Sequence, residues 1–158
     1  MPELIAYHEA GHALVAVLLG GRVKLVTIEP DNDDGPSRSG ETVVHWRRGV
    51  SAREMAVKGV QVYLAGPVAE MIYSGDQYHP GLIAEWADDW QQAWRVAESL
   101  HRDEKQRLDY LERVSIELYH RLERDEIWVA LASLADNLLA HDTLEWEQVE
   151  EIVQDWIP

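Results

Sequence analysis

The 158-residue chain contains no cysteine and no phenylalanine. Without cysteine there is no disulfide framework and no thiolate metal site, so any bound metal must rest on histidine and carboxylate. Positive charge is scarce: 14 Lys and Arg stand against 29 Asp and Glu, a formal net charge of −15. Phosphate backbones and anionic lipid would be repelled, which argues against a nucleic-acid partner. Long apolar runs are missing too. The longest, Ala13 to Gly20, is far short of the ~20 residues that a membrane span needs. The N-terminus has no basic region followed by a cleavage site, so no secretory signal is visible. A soluble, cytoplasmic protein is the default expectation, with the acidity read as a solvated surface.

What is present is ordinary for a folded protein: 46% hydrophobic and 27% charged residues, in a length that suits a single domain, residues 1–158. Seven Trp and six Tyr suggest a core of large amphipathic rings whose N–H and O–H groups need partners. Pro2 and the Gly20-Gly21 pair bracket a first helix reaching about Leu19. Val23 to Glu29 alternates as a strand does, and Glu41 to Trp46 is β-branched. A short strand that the sequence does not locate should complete their sheet. Between them Asp31 to Gly40 is a polar turn. Asp31-Asn32-Asp33-Asp34-Gly35 has the composition of a calcium loop, but no Glu closes a twelve-residue loop, so a solvated turn is preferred.

From Ser51 the pattern is helical. Ser51 with Glu54 forms a capping box for a helix reaching about Tyr73, with Gly66-Pro67 expected to kink or divide it. After a loop from Ser74 to Gly81, helices are expected over residues 84–101, 102–122, 125–140 and 143–156, the last capped by Thr143. The fold class is mainly α with a small N-terminal β-sheet.

Chemistry concentrates in His8-Glu9-Ala10-Gly11-His12, an H-E-x-x-H motif. Residues four apart lie on one helix face, so both imidazoles can meet one metal. Glu9 sits one step round the helix, where it can take a proton from a water activated by zinc. The motif runs directly into the apolar stretch from Ala13 to Leu19, as a core helix would. A third ligand is needed. The metzincin extension would place Gly at position 15 and His at position 18, and Val15 and Leu18 exclude it. Glu85 and Asp89, both at the head of a helix, remain as alternatives. His45 could face the cleft, although a lone strand histidine is more often a surface residue. His79 lies in the loop before Asp89. His101, His120 and His141 sit near helix C-termini, where the dipole suffices to explain them.

Tyr7 to Ala16 (YHEAGHALVA) resembles the protease domain of the FtsH-type ATP-dependent zinc metalloproteases. Leu64 to Ile72 (LAGPVAEMI) is similar to that family's Leu-x-Gly-Arg-Ala-Ala-Glu-Glu segment. Asp88 to Ala93, with Val96-Ala97, resembles its Asn-Asp-(Ile/Leu)-x-x-Ala-Thr-x-x-Ala segment, and residues 129–153 match its C-terminal helices loosely. The resemblance implies a zinc endopeptidase with His8, His12 and Asp89 as ligands and Glu9 as the catalytic glutamate. It implies that Glu70 hydrogen-bonds a ligating histidine, and that Thr42, Val43, Val44 and His45 align a peptide by strand addition. It also implies unfolded protein or peptide as substrate and a hexameric assembly. Pro67, Asp88 and Trp94 depart from the family's arginine, asparagine and threonine. No phosphate loop of the Gly-x-x-x-x-Gly-Lys-(Ser/Thr) type is present, so ATP-driven threading is not expected of this chain. A second reading, of another class, is a regulatory module that keeps the metal site without cleaving and assembles with a full-length protease. A third is a metallohydrolase acting on a non-peptide amide.

Overall fold

Pro2 starts helix α1, Pro2–Leu18, and its middle is buried on nearly every side: Ala6, Ala10, Ala13, Leu14, Val15 and Ala16 are fully excluded from solvent. A helix apolar all round has to lie at the centre of the fold. The computed structural model describes residues 2–30, 40–75 and 84–158, with the backbone alone at residues 84 and 85. The turn around residues 31–39, His79, and the Glu85 side chain lie outside the described residues.

Strands β1 (Arg22–Thr27) and β2 (Glu41–His45) follow α1 and pair antiparallel, with Val26 opposite Thr42 and an irregularity between Val23 and Leu25. Helix α2 is Ala52–Ser74. The Ser51 hydroxyl accepts the Glu54 N–H at 3.1 Å, the expected N-cap. Gly75 closes the helix in the left-handed conformation (φ 81°), where only glycine is free of strain. Gly66-Pro67 does not divide α2, which continues through both residues.

Helices α1 and α2 meet closely because their facing residues are small. A Cβ at Gly11 would lie 2.6 Å from the Ala65 carbonyl oxygen and 2.7 Å from the Ala69 Cβ. Neither backbone could yield without separating the helices. An aromatic ladder holds the outer end of the pair. Tyr7 stacks on Tyr73 at 4.0 Å and on Trp128 at 5.5 Å between ring centroids.

Helices α3 (Ala84–Ala97), α4 (Glu104–Leu122) and α5 (Asp125–His141) pack around this pair. The sequence pattern carries the third helix to His101, whereas the chain leaves the helix after Ala97. Buried Arg107 donates to the His101 and Arg102 carbonyls, both at 2.9 Å, and its guanidinium lies 4.5 Å from the Trp94 ring. These bonds satisfy two carbonyls in the turn between α3 and α4, where no helical partner is available.

The end of the chain corrects two expectations. Thr143 does not cap a helix. Residues Thr143–Glu145 form β3, the strand that the sequence did not locate. The sheet runs β2-β1-β3, so its third strand comes from the C-terminal region and the sheet is not wholly N-terminal. Leu144 pairs with Val26 and is fully buried, and the Thr27 and Thr143 hydroxyls meet at 2.8 Å. Helix α6, Trp146–Trp156, starts three residues later than expected, with a capping box between Glu145 and Gln148.

The core is not built from large rings. Leu14, Leu64, Leu111, Leu131, Leu134 and Leu138 fill it, with Val and Ala between them, and Trp86 is the only aromatic residue it buries among the described residues. Tyr7, Tyr63, Trp90, Trp94, Tyr110, Tyr119 and Trp128 lie at its margin, and Trp156 is half exposed. Tyr and Trp keep a polar handle in water there, where Leu has none to satisfy. Among the described residues, no helix is long and apolar enough to cross a membrane.

Candidate metal centre

The α-helical turn between His8 and His12 sets both imidazoles on the face of α1 that looks across to α2 and α3. There they meet Asp89, 81 residues further along the chain. His8 Nε2 is 2.7 Å from Asp89 Oδ2, and His12 Nε2 is 3.3 Å from the same oxygen. One ligand atom from each of the three residues can be chosen so that all lie within 4.8 Å of one another. His12 is buried, and His8 and Asp89 are nearly so.

Each ring has a partner beyond the cluster. His12 Nδ1 lies 2.6 Å from the Val62 carbonyl oxygen, which can only accept, so Nδ1 carries a proton and Nε2 is the nitrogen turned toward Asp89. His8 Nδ1 lies 3.8 Å from Glu70 Oε1, an ion-pair distance too long for a hydrogen bond. The other Glu70 oxygen accepts the indole N–H of Trp86.

Glycine makes room for the rings. A Cβ at Gly66 would lie 2.7 Å from His8 Nε2 and closer still to His12 Nε2. A second glycine fits around Glu9: a Cβ at Gly40 would lie 2.9 Å from its Cγ. Glu9 is buried, and Thr42 of β2 donates its hydroxyl to Glu9 Oε2 at 3.0 Å.

The rest of β2 is placed differently. Val43 pairs with Leu25, and Val44 packs against the core. His45 is exposed, opposite Arg22 and three residues along the strand from Thr42, and is not brought to the cluster. Sequence reasoning named neither Gly66, Val62 nor Trp86 as site residues. Only Gly66 left a signal, as a helix-weakening residue in the interior of a long helical pattern.

The donor set suits a divalent cation. Two imidazole nitrogens and one carboxylate oxygen, with no thiolate, are ligand types found in catalytic zinc sites, where three protein ligands leave a fourth position to water or substrate. Without the ion, the three groups hold protons among themselves. Burial alone would lower the pKa of His8, but the Asp89 hydrogen bond, Glu70 and the nearby negative charges outweigh it and push the ring up to about 10. Burial likewise opposes charge on His12, yet Asp89 raises its pKa too. For Asp89 burial favours the neutral acid, but the charge and hydrogen bonds of the two rings hold it well below the usual carboxylate range.

A metal ion needs neutral imidazole. At pH 7 the metal-free His8 carries a proton, so ion uptake must expel it. Titration calorimetry in buffers of different ionisation enthalpy should show proton release, and affinity should rise as pH increases from 6 to 9. A pH-independent affinity would mean that the ion binds elsewhere.

Comparison with known families agrees in outline. Residues 4–73 match a family model described as Peptidase M50B-like, a metallopeptidase family of the site-2 protease type rather than the FtsH type. The match takes in His8, Glu9, His12, Thr42, Gly66 and Glu70, ends before Asp89, and falls short of half the chain. No curated protein matches the chain. The N-terminal part of the chain is thus similar to a metallopeptidase family, and a peptidase activity is supported in that general sense.

Proposed function

We propose that the protein is a zinc-dependent endopeptidase whose metal is held by His8, His12 and Asp89. The observation that carries this reading is the convergence of two imidazoles and a carboxylate beside a buried glutamate, from helices far apart in sequence. Zinc bound there would polarise the scissile carbonyl and lower the pKa of a water to about 7. Glu9 takes the proton from the attacking water and later delivers it to the leaving amine. Thr42 occupies one Glu9 oxygen and fixes the plane of the carboxylate, while the second oxygen keeps its capacity to accept.

β2 stands at the end of the sheet order, with β1 as its only neighbour among the described residues. Its outer edge can add an extended peptide by main-chain hydrogen bonds, beginning at Thr42 beside Glu9. Such a substrate has to be extended before it binds, which favours unfolded segments and peptides over folded proteins. The resemblance of residues 4–73 to a metallopeptidase family supports hydrolysis of peptide bonds.

The direct test is cleavage of casein or a quenched peptide by the zinc-loaded protein, before and after a chelator. We expect activity that the chelator abolishes and zinc restores. No cleavage in any of the three states would overturn the endopeptidase reading.

A further inference from the structure

We propose that Trp86 is a positioning residue of the metal centre, acting through Glu70 to fix the orientation and tautomer of His8. The inference rests on the metal-site reading above and adds a residue that neither the motif nor the family match contains. Trp86 and Asp89 lie three residues apart on α3, hence on one face of the helix. A buried indole must find a partner for its N–H. Trp86 is 5% exposed, and its partner is Glu70 Oε2.

The consequence lies at the other Glu70 oxygen. Oε1 stands 3.8 Å from His8 Nδ1. A carboxylate on that side favours the proton on Nδ1 and leaves Nε2, the atom facing Asp89, free to ligate. Glu70 has three rotatable bonds, and without the indole its carboxylate has less to hold it toward the ring. The two histidines are therefore braced in different ways. His12 is oriented by a backbone carbonyl, that of Val62, which no substitution removes. His8 depends on a side chain that is itself held by a second side chain. Helix α3 thereby supplies one ligand outright and braces another, so its docking against α2 is registered twice at the metal.

The test uses the full chain, metal-free, titrated with zinc against a competing chelator. Trp86→Phe removes the N–H together with the five-membered ring and leaves a smaller aromatic side chain at a buried site, so the comparison with the double variant separates loss of the N–H from loss of packing. Trp86→Phe should weaken zinc binding about 10- to 100-fold, the usual effect of losing a group that orients a ligand. Trp156→Phe, at a half-exposed site on α6, should bind as the unaltered chain does. Because Trp86 acts through Glu70, Trp86→Phe combined with Glu70→Gln should bind no more weakly than Glu70→Gln alone. Nitrogen chemical shifts of zinc-loaded protein should show the His8 proton on Nδ1 in the unaltered chain, and a mixed population in Trp86→Phe.

Unchanged affinity in Trp86→Phe, or losses that multiply in the double variant, would overturn the proposal. If Trp86→Phe does not fold, Glu70→Gln with Trp86 in place still decides the matter: it must shift the Trp86 indole resonance and weaken zinc binding together, and a shift without weakening sinks the idea. Failure of the unaltered chain to bind zinc at all is a separate outcome, which removes the metal site itself.

Discussion

Glu9→Gln is expected to lower peptide hydrolysis by about 10²- to 10⁴-fold, the range for loss of a general base, while zinc uptake stays close to that of the unaltered protein. Glutamine keeps the shape of the side chain and can still accept the Thr42 hydroxyl, so the 3.0 Å contact and the packing against Gly40 survive. What disappears is the only function proposed for this residue, transfer of a proton. Glu9 stands outside the cluster of His8, His12 and Asp89, and the metal does not depend on it for a ligand. Rate measurements paired with a zinc titration separate the two effects. A variant that retains full activity would remove Glu9 from the mechanism. A variant that loses zinc together with activity would make it a structural residue.

Gly66→Ala is expected to abolish zinc binding and to lower stability. The added methyl would lie 2.7 Å from His8 Nε2 and closer to His12 Nε2, against ring atoms rather than the free end of a flexible chain. His12 cannot swing away without breaking its bond to the Val62 carbonyl, and His8 is confined between Asp89 and Glu70. Overpacking of this kind typically costs 1–3 kcal/mol. The same change elsewhere in a helix is favourable by roughly 1 kcal/mol, because alanine is the better helix former. The sign of the stability change thus separates the two readings of Gly66. Chemical denaturation together with zinc titration measures both effects. A stabilised Gly66→Ala protein that still binds zinc would contradict the close packing described above.

The helices were largely legible in the sequence because their signals are local. The Pro2 start, the Ser51 cap and the four-residue spacing of His8 and His12 act within one or two turns, and the structure carries each of them. Features that depend on distant pairing were not legible. A three-residue strand such as Thr143–Glu145 has no measurable period, and a threonine ahead of a helical pattern looks the same as a cap or as a strand end. Its role comes from Thr27 and Val26, more than a hundred residues away. The aromatic core failed for a similar reason. Composition counts rings but does not say which side of the core boundary they occupy.

The site divides along the same line. Spacing alone proposes His8, Glu9 and His12. The acidic pair near the head of α3 left Glu85 and Asp89 open, and it was the family resemblance that favoured Asp89, which lies 2.7 Å from His8 Nε2. Groups that orient the ligands leave almost no trace in sequence. The Val62 carbonyl has no side-chain identity at all, and Trp86 reads simply as one more ring at helical spacing.

The measurement that bears most directly on the account is a crystal structure of the zinc-loaded protein with anomalous scattering recorded on both sides of the zinc edge. One full-occupancy zinc bonded to His8 Nε2, His12 Nε2 and a carboxylate oxygen of Asp89, with Glu9 unbonded beside it, is the predicted result. Zinc at another place, or bound at this place without one of those three residues, would contradict the account.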